Sequence, residues 1–171
     1  MHEGDHMINI MRLNDTNAVK YRMLRLNGLI HAKEAFGSSF EEEAPLPLAF
    51  FEKRLKDEQN ITLGAFLEDD LVGILTMRRS EHDKTKHNGH LAAMYVDQKY
   101  QHQGIGKKLL LQMIEEAKSI GIINIFLTVT FNNDHAIHLY KSVGFQTYGI
   151  EKRELLIDGT YYDSTLMALY I

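Results

Sequence analysis

The stretch Tyr100-Gln101-His102-Gln103-Gly104-Ile105-Gly106-Lys107-Lys108-Leu109-Leu110 decides how the rest of the 171-residue chain is read. It leads from a turn with two glycines into the clearest amphipathic helix of the sequence. Between Gly104 and Ile120, the residues Leu109, Leu110, Met113, Ile114 and Ala117 make one apolar stripe. Lys107, Lys108, Gln112, Glu115 and Lys118 lie outside it, and Gly121 ends the helix. A glycine turn at a helix start exposes backbone N–H groups whose partial positive charge can bind phosphate. Without a Cβ, the turn also lets a ligand approach the backbone closely.

Working outward, His90–Val96 is apolar at nearly every position, as expected of a central strand covered on both faces. Ile122–Thr130 reads as another buried strand. Asp134–Ser142 reads as a short helix with Ala136, Leu139 and Val143 inward, stopped by Gly144. Asp158-Gly159 between Phe145–Ile157 and Tyr161–Ile171 signals a hairpin. On the N-terminal side, Ile8–Leu13 alternates as a strand, and Asn14-Asp15-Thr16 offers caps for a helix over 15–33. Val19, Met23, Leu26 and Ile30 recur at helical spacing there, with Leu24 beside them. Glu41-Glu42-Glu43 reads as a solvated helix start, and Pro45 and Pro47 precede a short helix over 47–58. Ile61–Leu67 and Leu71–Met77 form a hairpin around Glu68-Asp69-Asp70, and Arg78–Asn88 is a charged, His-rich loop. With no repeat or linker, the expectation is a single mixed α/β domain over residues 1–171.

Composition narrows the function. The chain is 44% hydrophobic and 25% charged with only 2 prolines, which is ordinary globular usage. A net charge of −4, with basic residues scattered among acids, argues against a nucleic-acid partner. Absence of cysteine removes disulfides, thiolate metal sites and cysteine nucleophiles. The start Met1-His2-Glu3-Gly4-Asp5-His6 lacks the features of a secretion signal, and no apolar run approaches the ~20 residues that span a bilayer. A cytoplasmic protein with no membrane partner is therefore expected. His135 and His138 lack a third ligand at suggestive spacing, and His82, His87 and His90 belong to a charged segment, so no metal is expected.

Two common glycine motifs fail. A triphosphate-binding loop needs Gly where Gln101 stands and Ser or Thr where Lys108 stands. A dinucleotide fingerprint needs a small residue at Leu109 and an acid at the end of the next strand, which instead closes Thr128-Val129-Thr130.

What remains, Gln-x-x-Gly-x-Gly, resembles the acyl-coenzyme A pyrophosphate loop of the GNAT superfamily of N-acetyltransferases. The strand Leu91–Asp97 before it fits that family. So does Asn133-Asp134-His135-Ala136-Ile137-His138-Leu139-Tyr140-Lys141-Ser142-Val143-Gly144-Phe145, read as Asn-x-x-Ala-x-x-Leu-Tyr-x-x-x-Gly-Phe. The tail from Gly149 to Asp163 looks like one bacterial branch; the motifs cover 87–170, and the N-terminal half fits only in element order. The resemblance implies a mostly antiparallel sheet, flanked by helices, with strands four and five splayed around acetyl-CoA. It places Met94, Tyr95 and Val96 along the pantetheine arm, and Gln101, His102, Gln103, Gly104, Ile105, Gly106 and Lys107 around the pyrophosphate. Asn133 and Ala136 would lie at the pantetheine, and Tyr140 at the thioester sulfur.

A tyrosine titrates at ~10, so at neutral pH it can give a proton to a departing thiolate. An N–H near Tyr95 or Val96 could polarise the thioester carbonyl. The base is harder to find. Freeing an alkylamine of pKa ~10.4 at neutral pH costs ~4–5 kcal/mol. Some relatives carry a glutamate for this on the fourth or fifth strand, but Thr128 stands at the fifth-strand position here. His90 is a candidate, against a plain strand histidine or a water chain to solvent. Phe36, in Phe36-Gly37-Ser38-Ser39-Phe40, and Tyr162 fall where the resemblance places substrate walls. The expected reaction is direct acetyl transfer from acetyl-CoA to a primary amine, either a small amine or an amino-acid-like metabolite, without an acyl-enzyme. Acetylation of a protein N-terminus or lysine, and an acyl-CoA sensor without turnover, are the alternatives. GNAT domains often pair through sheet edges or helices, which leaves room for a homodimer.

Overall fold

The computed structural model describes residues 7–171. The reading of Met1–His6 lies outside them. Seven strands form one sheet in the order β1-β2-β3-β4-β5-β7-β6. They are β1 (Ile8–Arg12), β2 (Asn60–Leu67), β3 (Asp70–Arg79), β4 (Asn88–Val96), β5 (Asn124–Thr130), β6 (Gln146–Ile157) and β7 (Thr160–Tyr170). Every neighbouring pair is antiparallel except β4–β5. The helices are α1 (Ala18–His31), α2 (Phe40–Glu43), α3 (Leu48–Lys56), α4 (Ile105–Ser119) and α5 (Asp134–Ser142). This is the mostly antiparallel, helix-flanked α/β sheet that the resemblance implies.

Two apolar cores sit on opposite faces of the sheet. On one, the α4 stripe of Leu109, Leu110, Met113 and Ala117 packs on Leu63, Leu75, Met77 and Leu127, with α5 beside it. The expected stripe is therefore the buried one. On the other, Tyr21, Leu24 and Leu29 of α1 and Phe51 and Leu55 of α3 cover Ile74, Ala93 and Tyr95.

The first helix differs from its expectation. It opens with a 3-10 turn at Asp15–Asn17, capped by Asn14 as expected, and α1 ends at His31. Val19, Met23 and Ile30 face solvent, Met23 being 69% exposed. The buried face instead carries Tyr21, Leu24, Arg25, Gly28 and Leu29. A search for apolar spacing passes over a face holding an arginine and a glycine, yet both are needed there. A Cβ on Gly28 would lie 2.7 Å from the Phe36 ring and 2.9 Å from that of Tyr95, so only glycine allows this approach. Arg25 donates through Nε and a terminal nitrogen to the two carboxylate oxygens of Glu43, at 2.7 and 2.8 Å.

Glu43 corrects the reading of the acidic run as solvated. Ser39 caps α2 in a capping box, and Glu41 and Glu42 are exposed, but Glu43 is 2% exposed and also meets Arg54 at 3.3 Å. Burial alone would raise its pKa; hydrogen bonding and charge from Arg25, with Arg54 and Ser38, outweigh that and hold the carboxyl below its ordinary value. The His-rich loop is shorter than read, because β3 continues to Arg79 and β4 begins at Asn88.

Candidate active site

Strand β4 makes the site by losing its neighbour. It pairs with β5 only at Asn88, Gly89 and His90; beyond His90 the two strands part. On its other edge the register jumps from Thr76↔Ala92 to Ile74↔Tyr95, so Ala93 and Met94 together stand opposite Leu75. Ala93 has φ 56°, a left-handed conformation costly for alanine. The bulge reverses the alternation: Leu91 points into the α4 core, whereas Ala93 and Tyr95 point into the α1 core. The Tyr95 hydroxyl donates to Asn27 Oδ1 at 2.5 Å, and burial pushes its pKa up. Its side chain thus faces α1.

A cavity of about 370 Å³ fills the gap between the parted strands. Of the residues singled out from sequence, Phe36, His90, Met94, Asn133, Ala136 and Tyr140 line it. Tyr95, Val96 and the turn 101–107 do not. Tyr140 is 8% exposed, and burial pushes its phenol up to about 12, so it stays protonated throughout the physiological range. Phe145 holds its ring edge-on, with centroids 5.8 Å apart. His90 stacks on Phe126 at 5.4 Å; burial, and then the charge of Arg78 beside it, lower its pKa. Both effects favour the neutral imidazole.

The turn before α4 lies next to this cavity. Asp97 opens a 3-10 turn at Gln98–Tyr100, and the Gln101 amide donates to the Val96 carbonyl at 2.9 Å, pinning the turn to the end of β4. His102 and Gly104 have φ 64° and 80°. Gly104 is the N-cap of α4 and offers no side-chain cap, so the helix begins with its N–H groups uncovered. A Cβ on Gly106 would lie 3.3 Å from Leu139 of α5 and 3.9 Å from Met94. The turn, the bulged strand and α5 thus meet around Gly106. Asn133 caps α5, its Oδ1 accepting the Ala136 N–H at 3.3 Å.

Tyr162 lines a second cavity with Ile30, Lys33 and Ile157, which shares Glu34, Thr130 and Asn133 with the first. Phe36 touches the first cavity but is 5% exposed, packed on Tyr95 and beneath Arg25, whose guanidinium carbon is 5.0 Å from the ring centre. The sequence reading did not single out Glu154, Glu34, Arg78 or Tyr148, all of which line the first cavity. A signal for Glu154 exists: Glu151-Lys152-Arg153-Glu154 is a polar run that breaks the alternation of a strand.

The sequence matches the Acetyltransferase (GNAT) family over residues 27–145. The chain belongs to the GNAT family. By family it is an acetyl-CoA-dependent acyltransferase. It is 31% identical over 146 residues to the N-alpha-acetyltransferase RimI of Mycobacterium tuberculosis, covering 85% of this chain and 89% of that one. It is 32% identical to the L-amino acid N-acetyltransferase AaaT of Escherichia coli, covering 69% of this chain and 74% of that protein. A 35% match to an uncharacterized protein of Mycobacterium leprae covers 67% of this chain but only 31% of that longer protein. Among solved structures, a GNAT acetyltransferase from Streptococcus pneumoniae superposes with TM-score 0.80 at 26% identity over 96% of this chain and all of the other. The Salmonella typhimurium protein yncA, solved with acetyl-CoA, shares the fold at TM-score 0.77 and 20% identity over 96% of this chain and 94% of that one.

The residues of this GNAT chain fit that cosubstrate. An uncapped helix start suits a diphosphate, the gap beyond His90 leaves strand edges for an amide-bearing arm, and the buried phenol lies at the cavity wall. Among the described residues, no three His, Asp or Glu side chains converge as a metal site, and no helix is long and apolar enough to cross a membrane.

Proposed function

We propose that the protein transfers acetyl from acetyl-CoA to the primary amine of a small or amino-acid-like acceptor, by direct attack with both substrates bound. The observation that carries this reading is Tyr140, a buried phenol kept protonated in the gap where β4 and β5 part. The names of the relatives that act on amino acids and on N-termini support amines as the acceptor class.

In this reading the N–H groups at the start of α4, from Gly104 to Lys107, hold the pyrophosphate, with Gln101 bracing the turn and His102 and Gln103 at its rim. Met94, Tyr95 and Val96 offer main chain to the pantetheine arm, beside Asn133 and Ala136. Acetyl-CoA supplies an activated acetyl thioester. The bulged main chain of β4 directs an N–H toward the carbonyl oxygen, where negative charge develops. Tyr140 gives its proton to the departing sulfur. His90, whose surroundings favour the neutral imidazole, takes the proton released by the acceptor nitrogen. Phe36 and Tyr162 bound the acceptor from either side.

Thiol release from acetyl-CoA, measured across a panel of primary amines, tests the proposal. Amine-dependent release is expected, without a burst. Tight acetyl-CoA binding with no amine-dependent release would make the chain a sensor, and release only with peptides would make the acceptor a protein terminus or lysine.

A further inference from the structure

The register of β6 on β7 jumps from Glu151↔Ser164 to Leu155↔Tyr162, so Lys152, Arg153 and Glu154 stand opposite Asp163 alone. This bulge is built in. Arg153 has φ 53°, and its N–H donates to Asp163 Oδ1 at 2.8 Å. Ser164, only 1% exposed, donates through Oγ to Glu154 Oε2 at 2.9 Å. Ser164 pairs with Thr130 of β5, and Thr128 shares the face of Thr130 by alternation. The bulge therefore brings a carboxylate to the cavity wall that Thr128 leaves without one, in the same cavity as Tyr140 and His90.

Two arginines and a second carboxylate also line that cavity. Arg25 is clamped by Glu43, and Arg78 pairs in register with His90. Glu34 sits on the 3-10 turn Lys33–Ala35, where the two cavities meet.

We propose that Glu154 seats the ammonium group of the acceptor, with Ser164 as its positioning residue. The inference rests on the N-acetyltransferase reading. The carboxylate accepts hydrogen bonds from the ammonium and holds the nitrogen toward the thioester. One proton passes to His90, the freed lone pair forms the C–N bond, the C–S bond breaks, and the thiolate takes the proton of Tyr140. The second proton lost from the nitrogen leaves to water as the amide forms, His90 returns its proton to solvent, and Tyr140 is reprotonated from solvent. Selection for acceptors that are cationic at working pH follows.

The test compares wild type, Glu154→Gln and Glu154→Asp with the best alkylamine of the panel and, as dead-end inhibitor, the alcohol that replaces its amino group by hydroxyl. Glu154→Gln is expected to raise the amine KM about 10- to 100-fold, with the acetyl-CoA Kd and the alcohol inhibition constant unchanged. Glu154→Asp should recover part of the loss. Ser164→Ala should move the amine KM in the same direction by less, and it serves if Glu154→Gln does not fold. An unchanged amine KM, or equal weakening of amine and alcohol, would overturn the role of Glu154 and leave the acetyltransferase reading standing. A wild type that releases no thiol with any amine overturns both.

Discussion

Around α4 and α5, the groups assigned to the donor lie in three short segments, 94–96 at the end of β4, 101–107 leading into α4 and 133–140 in α5. On the α1 face, the cavity wall is assembled from a 3-10 turn, β3, β5 and the bulge of β6. The difference follows from what each face has to bind. A diphosphate needs a helix start, a left-handed turn and a close backbone approach, all of which glycine spacing encodes locally. An acceptor needs side chains gathered by tertiary structure, and no segment encodes that.

The largest expected effect probes the support of the α1 face. Glu43→Gln leaves the buried Arg25 and the half-buried Arg54 without their carboxylate and should cost about 3–5 kcal/mol in denaturant unfolding. The folded-state pKa of Glu43 is depressed, so its contribution is present above the ordinary carboxylate range and is lost as pH falls through the lowered value. Wild-type stability should thus drop in acid, and Glu43→Gln should lack that part of the drop. If acetyl-CoA affinity of the folded variant fell as steeply as its stability, the two faces would not be separable.

Next in size, Tyr140→Phe should lower kcat about 100-fold with little change in acetyl-CoA Kd, read by thiol release and calorimetry. Because burial pushes the phenol up to about 12, any alkaline limb of the wild-type pH–rate profile below that value belongs to another group and should persist in Tyr140→Phe. Gly106→Val, which crowds Leu139, should weaken acetyl-CoA binding about 10-fold through the loss of close backbone approach. His90→Gln should remove an acidic limb of kcat/KM whose midpoint lies below the ordinary histidine value, as burial and Arg78 dictate. Smallest is Tyr162→Ala, which should raise the acceptor KM about threefold and leave acetyl-CoA affinity alone, as one rim contact implies. Phe36→Ala is a poorer probe, since that ring is core and its loss destabilises the fold by about 3–5 kcal/mol.

Legibility in the sequence divides along the same line. The α4 stripe, the Asp158-Gly159 turn and the Asn133–Phe145 segment are local patterns, and the structure places them as their spacing implies. The buried face of α1 was not legible, because Arg25 and Gly28 are explained only by Glu43, Phe36 and Tyr95, residues outside that helix. Nor was the bulge at Ala93, since an unbroken apolar run does not show where alternation reverses. Glu154 lay in a polar run, yet only the pairing of β6 with β7 turns that run toward the cavity.

The most direct measurement of the central claim is the change in backbone amide NMR shifts on titration with acetyl-CoA. The account predicts the largest changes at Gly104 to Lys107 and at Met94 to Val96, with Tyr140 responding to the acetyl-loaded form. Saturable binding that left those amides unmoved while shifting another surface would contradict it.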